Sequence, residues 1–365
     1  MFLLIIVLLA ALIYYIQDKI YFKYWDKNLD IKLYFSTTRI IEGDNAQLIE
    51  VIRNAKIMPL PTIHLKFIAS KNLNFINENN SITTDFYYRN DVYSILGNKQ
   101  IKRKLDFIAT KRGYYTIDKV DIIANNIFLS NNFINSIKNP SYLYVFPRKL
   151  ANKDIPIPVD KIIGDYVNKQ SLYEDPFQFK GLREYQPYDN ISNINWKVSA
   201  KSNTLMINEH NTTSSLSINL ILNCTLPNFS IEKLGEFSIR LMSTLCEKFC
   251  NYGINISFHC NAYDIDNTNL ISVPMGTGNT VNTKINEALA KINLYNKTTD
   301  FADLLSSTAN NNSLKIIVSA DYRDELIRIY DSFKNKNNVI WIIPKDLDNK
   351  KVDIVNNKDI FLWEV

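Results

Sequence analysis

From about Asn28 to Phe146, apolar and β-branched residues alternate with polar ones in short runs: LDIKLYFS, AQLIEVIRN, TIHLKFIAS, IKRKLDFIAT, YYTIDKVDIIAN and SYLYVFP. Turn formers punctuate them at Glu42-Gly43-Asp44, Pro59 to Pro61, Gly97-Asn98 and Arg112-Gly113. Alternation with a period of two, without helical spacing, predicts an all-β antiparallel sandwich over residues 27–147. After Ser214 the pattern changes. SLSINLILN is a continuous apolar run, as expected of a strand buried on both faces. In IEKLGEFSIRLMSTLCEKFC, the positions Ile231, Leu234, Ser238, Leu241, Leu245 and Phe249 recur at helical spacing. INISFHC, LKIIVSA and NNVIWIIP read as further strands. Between them stand the helices NTVNTKINEALAKINLY, with Val281, Ile285, Leu289 and Ile292 on one face, and YRDELIRIYDSFK. Strands alternating with helices predict a doubly wound, mostly parallel α/β domain over residues 213–365, with helices on both faces. Residues 148–212 read as a polar connector.

The first 25 residues obey neither pattern. MFLLIIVLLAALIYYI carries no charged side chain, and apolar character continues past Asp18 and Lys19 into IYFKYW. A bilayer core needs about 20 helical residues, which this stretch supplies once Lys19 snorkels. Tyr14, Tyr15, Tyr21, Tyr24 and Trp25 suit an interfacial belt. A cleaved signal peptide is the competing reading, against which stand a missing basic n-region and no small-x-small cleavage site. Lys19, Lys23 and Lys27 follow the segment and nothing basic precedes it, so the positive-inside rule places the bulk of the chain in the cytoplasm.

At 365 residues, with 46% hydrophobic and 12% aromatic residues, the chain has core enough for two folded units. The net charge of +5 is mild. Its Lys and Arg clusters, IKRKL and KRGYY, fall in strand-rich sequence, where edge-guarding lysines account for them and nucleic-acid binding is not indicated. Cys224, Cys246, Cys250 and Cys260 are the only cysteines. Cys246 and Cys250 share a helix face, and His259 lies near, but the spacings of a zinc site are missing, so reduced core thiols are the expectation.

One stretch concentrates charge and aromatics: LREYQPYDNISNINWKVSAKSNTLMINEH. Arg183, Glu184, Tyr185, Pro187, Asp189, Ile194, Trp196, Ala200 and Lys201 resemble, in order and spacing, the signature of the DUF58 family of bacterial membrane-associated proteins. Upstream, NAKIMPLPTIHLKF and KRGYYTIDKVDIIANNIFLS are similar to the family's sandwich. Asn125, Asn126, Ile127 and Phe128 stand where relatives often read D-P-F-G-L. One membrane helix stands where relatives often have two. The resemblance implies a von Willebrand factor A-like fold for the α/β domain and a place in the bacterial cell membrane. It also implies a protein partner of the MoxR-type AAA+ ATPase class in envelope assembly or protein maturation. Arg183, Glu184, Tyr185, Asp189, Trp196 and Lys201 then read in two compatible ways. They fix the connector, Arg183 on a carboxylate and Trp196 and Tyr185 packed against the second domain, or they form a partner surface.

The von Willebrand A fold commonly binds Mg²⁺ through D-x-S-x-S, a Thr and an Asp. This chain reads Asn223, Cys224, Thr225, Leu226, Pro227, and the first carboxylate is gone. A hard cation wants anionic oxygen, so no metal or other cofactor is expected, although Thr280 and Asp321 stand where later ligands would come, or as helix caps. Ser199, Ser202, His210 and Asp189 can be drawn as a triad, but no G-x-S-x-G elbow is present. GTGNT, Gly276 to Thr280, lacks the lysine of a P-loop. Glu184 and Asp189, with Arg183, Lys197 and Lys201 close by, are expected to be ionised and paired. The expectation is a non-enzymatic, membrane-anchored adaptor. The alternative is a metal-dependent ligand binder or envelope enzyme using Asn223, Thr280 and Asp321. Nothing in the sequence fixes an oligomeric state.

Overall fold

The computed structural model describes residues 2–77, 79–151, 155, 164, 179–186, 191–210, 217–226, 232–264, 269–308, 313–321, 323–334, 338–345 and 360–364. The chain divides into two compact units, Met1–Arg148 with Leu289–Lys291, and Lys149–Ala288 with Ile292–Val365.

The first unit opens with α1 (Phe2–Tyr24), a 23-residue helix long and apolar enough to cross a membrane. Ten strands follow: β1 (Leu29–Phe35), β2 (Arg39–Ile41), β3 (Asn45–Asn54), β4 (Leu60–Ser70), β5 (Leu73–Phe75), β6 (Ser81–Thr83), β7 (Phe86–Ile95), β8 (Lys99–Ala109), β9 (Gly113–Asn125) and β10 (Asn132–Phe146). They form two sheets, β1-β3-β8-β5 and β2-β10-β9-β4-β7-β6, antiparallel throughout except where β2 joins β10 in parallel. Leu33, Leu48 and Phe107 from the first sheet pack with Leu65, Val120 and Leu143 from the second in one buried cluster, so the sheets make a β-sandwich. Each such apolar side chain contributes about 1.5–3 kcal/mol by leaving water.

β7 breaks the apolar rule on its inward face. Arg89 and Asp91 are buried there as an ion pair. Arg89 also donates to the Asn77 carbonyl at 2.8 Å and the Tyr87 hydroxyl at 2.7 Å, and Arg103 reaches Asp91 at 2.8 Å. Tyr93 donates to Glu50, whose carboxyl is pushed up to about 7 chiefly by its burial.

The second unit begins its described part with β11 (Phe179–Glu184), a 3-10 turn at Ile191–Asn193, α2 (Trp196–Ser202) and β12 (Met206–His210), β11 and β12 being paired antiparallel. The main sheet then runs through β13 (Ser217–Asn223), α3 (Glu232–Asn251), β14 (Asn255–Tyr263), β15 (Leu270–Gly276), α4 (Gly278–Lys291), α5 (Phe301–Thr308), β16 (Leu314–Ser319), α6 (Asp324–Lys334), β17 (Val339–Lys345) and β18 (Ile360–Glu364). Strand order is β15-β14-β13-β16-β17-β18, parallel except for β15. Ile221, Ile317 and Trp341 join α5 and α6 in one cluster. Leu220 and Leu222, which alternate with Ile221, are outside it. α3, which packs across β13, β14, β16 and β17, therefore covers the opposite face. β15, α5 and β18 are additions to the elements read from the sequence.

Candidate functional site

In an open parallel sheet, ligand crevices form at the carboxyl ends of strands where the chain turns to opposite sides. Here that place is the end of β13, between β14 and β16. Asn223, Asn261, Ser319 and Asp321 converge on it, all buried. The Asn223 amide donates to Ser319 Oγ at 3.0 Å, and its Oδ1 accepts from the Thr225 backbone N–H at 3.0 Å. Asn261 is the hub. Its Nδ2 lies 3.0 Å from Asn223 Oδ1, 2.9 Å from Thr225 Oγ1 and 3.1 Å from the Thr299 carbonyl, while its Oδ1 accepts from the Cys224 backbone N–H at 2.7 Å. Thr225 Oγ1 also meets Thr298 Oγ1 at 3.0 Å.

The carboxylate of Asp321 is committed elsewhere. Both its oxygens accept from the Arg323 guanidinium, at 2.6–3.1 Å, and Oδ1 also accepts from the Arg323 backbone N–H at 3.2 Å, near the start of α6. That pairing pushes the Arg323 pKa further up. At the centre of the cluster stands a neutral amide presenting N–H donors, the opposite of what a hard cation requires. Each polar group named here has a protein partner, and the cluster ties the ends of β13, β14 and β16 together.

The structure thus joins Asn223, Thr225 and Asp321 but separates Thr280 from them. Ile256, at the start of β14, pairs with Gly276 at the end of β15, so α4 begins at the opposite end of the sheet. Because β15 runs antiparallel, the chain has returned to the amino-terminal edge before Thr280. Thr280 lies inside the first turn of α4, which begins at Gly278, and does not cap it from outside. Thr298 is the threonine that reaches the cluster. Asn261, Thr298 and Ser319 were not picked out from sequence. Isolated small polar residues at strand ends carry no spacing signal, and only the register assembles them.

The stretch from Arg183 to His210 forms a two-stranded sheet and a short helix within the second unit, apart from its main sheet. Arg183 pairs with Ile207 and Glu184 with Met206 across β11 and β12. Asn195 caps α2 by accepting from the Val198 N–H at 3.1 Å, and Asn203 closes it in the left-handed conformation at φ 53°. Ser199 Oγ donates to the Asn195 carbonyl at 2.8 Å and accepts from the Met206 N–H at 2.8 Å, locking α2 onto β12. Ser202 Oγ donates to the Val198 carbonyl at 3.1 Å. Both hydroxyls of the triad drawn from sequence therefore serve the backbone.

Ile194 and Ile207 are buried between these elements. Trp196, by contrast, is 64% exposed, which overturns its expected role of packing the connector inward. As the first residue of α2 it projects from the helix start. Ile191, Leu205 and Leu182 are exposed on the same unit. Glu184 and Lys201 are also exposed, and Tyr185 is half-buried. Arg183 Nη1 donates to the Glu184 carbonyl at 3.2 Å. Asp189 lies outside the described residues.

Other chemistry-bearing groups are internal. None of the four cysteines forms a disulfide, and all are buried. Cys246 Sγ lies 3.3 Å from Asn282 Oδ1. Its hydrogen bond with Cys250 pushes the Cys246 thiol up and the Cys250 thiol down. His259 is held below its ordinary pKa by burial, and His64 Nδ1 meets Asn90 Oδ1 at 3.2 Å. Among the described residues, no group of three His, Cys, Asp or Glu converges as a metal site. On the sandwich an open groove of about 540 Å³ is lined by Lys66, Ile82, Tyr88, Asp118, Lys119 and Asp121 among others. Within it Lys119 pairs with Asp121 at 3.1 Å.

No family model matches the chain, and no curated protein does. Among solved structures it is similar to a non-cellulosomal cohesin from the hyperthermophilic archaeon Archaeoglobus fulgidus, at 15% identity over 32% of this chain and 91% of that one, with a TM-score of 0.22. It is also similar to a CARDB domain from Pyrococcus furiosus solved in complex with di-metal ions, at 11% identity over 32% of this chain and 90% of that one, with a TM-score of 0.19.

Proposed function

We propose that this protein is a membrane-anchored, non-enzymatic adaptor of the DUF58 type. In this reading α1 crosses the bacterial cell membrane with the bulk of the chain cytoplasmic, and the second unit is von Willebrand A-like with its metal site closed. The unit formed by β11, α2 and β12 docks a protein partner of the MoxR AAA+ class. The observation that carries the reading is Trp196. A tryptophan 64% exposed, with Ile191, Leu205 and Leu182 also exposed nearby in the chain, costs solubility that an isolated domain has no reason to accept. Tryptophan and arginine are the side chains that dominate interface energies, and Arg183 belongs to the same unit. The amide-filled cluster at Asn223 and Asn261 supports the same reading, since it consumes the oxygens that metal chemistry would use.

The test is affinity capture of the full-length protein from native membranes in detergent, with a non-hydrolysable ATP analogue present. Recovery of an AAA+ ATPase by the native protein, lost in Trp196→Ala, is the expected result. Equal recovery by both would remove Trp196 from the interface, and recovery of no ATPase by the native protein would refute the partner class. Protease accessibility in intact cells checks the topology, because an extracellular bulk would exclude a cytosolic ATPase.

A further inference from the structure

We propose that the end of the β-sandwich beside α1 is a lipid-docking surface, with the tip of the β9–β10 hairpin inserted into the bilayer alongside the anchor. This rests on α1 being a membrane anchor, and goes beyond it by assigning a second, non-helical point of entry.

The depth follows from the helix. An α-helix rises 1.5 Å per residue, and a hydrocarbon core of about 30 Å takes about 20 residues. With the apolar helix Phe2–Tyr24 as the span, its sandwich-side end at about Tyr21 to Tyr24 lies at the near boundary of the hydrocarbon. The sandwich reaches past that level. The Tyr21 hydroxyl donates to the Pro59 carbonyl at 2.7 Å, which sets the turn before β4 at the boundary. Further along α1, Asp18 Oδ1 accepts from the side-chain amides of Asn126 at 3.0 Å and Asn131 at 2.6 Å. Deeper still, the Tyr14 hydroxyl donates to Ser130 Oγ at 2.9 Å, and the Tyr14 ring meets that of Phe128 at 5.7 Å. Tyr14 precedes Tyr21 by seven residues, about 10 Å of helix axis. A hairpin tip in contact with Tyr14 therefore lies on the membrane side of that boundary when Phe2–Tyr24 is the span.

The chemistry of the tip suits that place. Turns facing water are polar, yet Ile127, Phe128 and Leu129 are consecutive and each more than half exposed. No glycine shapes this turn. Asn126 does so, accepting from the Ser130 N–H at 2.9 Å through Oδ1 and from the Leu129 N–H at 3.0 Å through its carbonyl. Leu129 takes the left-handed conformation at φ 55° that a turn normally assigns to Gly or Asn. A residue type that gains from lipid has displaced one that suits the backbone. The same hairpin resolves a difficulty of the anchor itself. A carboxylate at the depth of Asp18 is costly in a membrane unless it is hydrogen-bonded, and two amides of the hairpin supply those bonds.

Two neighbouring loops carry the surface outward to the interface. Ile57 is 87% and Leu96 66% exposed. Their loops are held as one piece, with the Asn98 N–H donating to the Lys56 carbonyl at 3.0 Å and Gly97 so close that a Cβ there would sit 2.0 Å from the Ile57 carbonyl oxygen. Lys23 and Lys27, whose ammonium groups lie over the Tyr24 ring at the end of α1, supply cations where anionic headgroups lie.

The test places a benzophenone amino acid singly at residues 9, 128 and 82 of the full-length protein, reconstituted in phosphatidylcholine–phosphatidylglycerol vesicles and irradiated. Leu9 lies in the exposed half of α1, and Ile82 is exposed at the far end of the sandwich. Lipid adducts are expected at 9 and 128, with about tenfold less or lower at 82. Adducts at 9 but not at 128 would overturn the docking surface while leaving the anchor standing. A protein–protein adduct at 128 would overturn it in favour of a second copy of the chain. Absence of lipid adducts at 9 would bring down the anchor and the surface together, and equal labelling at 82 would show that the tip has no special access to lipid.

Discussion

Replacing Asn261 by alanine tests whether the amide cluster is the clamp of the parallel sheet. Of the groups it touches, Asn223 Oδ1 keeps the Thr225 N–H, and Thr225 Oγ1 keeps Thr298. The Cys224 N–H is in a different position, because its partner at 2.7 Å is Asn261 Oδ1 and it is buried. Orphaning a buried donor costs about 1–3 kcal/mol, and each net hydrogen bond lost adds roughly 1 kcal/mol, so the expected destabilisation is about 3 kcal/mol. The four cysteines, all outside disulfides, buried and confined to the second unit, provide the assay. Their reactivity toward a thiol reagent as a function of urea reports that unit alone. With an m-value of about 2 kcal/mol/M the midpoint should fall by about 1.5 M.

A fall of less than about 0.3 M would refute the reasoning, since it would mean that the Cys224 amide finds another acceptor. Asn261→Asp supplies the internal control. Its carboxylate still accepts from Cys224 but faces Asn223 Oδ1 as a second acceptor, so the folded state should hold the new carboxyl above its unfolded pKa. The folded state then binds more protons, and the variant's stability is greatest below the unfolded pKa and is lost as pH rises through the folded one. Asn261→Ala should show no such dependence relative to the native protein.

The sandwich and the surface yield three further expectations. Asp91→Ala leaves the buried Arg89 without its carboxylate and should cost about 3–5 kcal/mol, read as the urea midpoint of sandwich peptides in pulsed hydrogen exchange. Glu50, with its pKa raised to about 7 from 4.5, contributes stability that is full below pH 4.5 and is lost as pH rises through about 7. Glu50→Gln should flatten that part of the profile, and an unchanged slope would refute the assignment. Trp196→Ala should leave the thiol-labelling midpoint within about 0.5 kcal/mol of native because the ring is exposed, and a larger loss would mean that it packs after all.

How far these features were legible in the sequence follows from what each strand buries. β4 and β9 were readable because their inward faces are apolar, and β3 because Ala46, Leu48 and Ile52 keep the alternation although Glu50 and Asn54 are buried on the same face. β7 escaped notice for the opposite reason. Its inward face carries Tyr87, Arg89 and Asp91, and a buried ion pair is indistinguishable in sequence from a solvated one. β13, β16 and β17 are buried on both faces and announce themselves as continuous runs. β15 does not, because an antiparallel edge strand reading LISVPMG mixes exposed residues with a proline.

The same contrast governs the sites. A motif read along the chain finds residues only where spacing is set within one element, and so Asn223 and Thr225, two apart after one strand, were accessible. The partner of Asn223 was not, because Asn261 stands 38 positions on and arrives through the parallel register that sets Leu222 against Cys260. Thr280 was misplaced by the converse error. Helix starts in a parallel sheet ordinarily follow strand ends at the carboxyl edge, and the antiparallel β15 delivers α4 at the other edge. Exposure is a third quantity that spacing does not encode. Trp196 and Ile194 are two residues apart in the same signature, and one is buried while the other faces solvent. The difference arises because Ile194 bridges to Ile207 while Trp196 begins a new helix whose buried side is occupied by Ser199. It is this difference, and not the density of charges, that makes the stretch a candidate for docking.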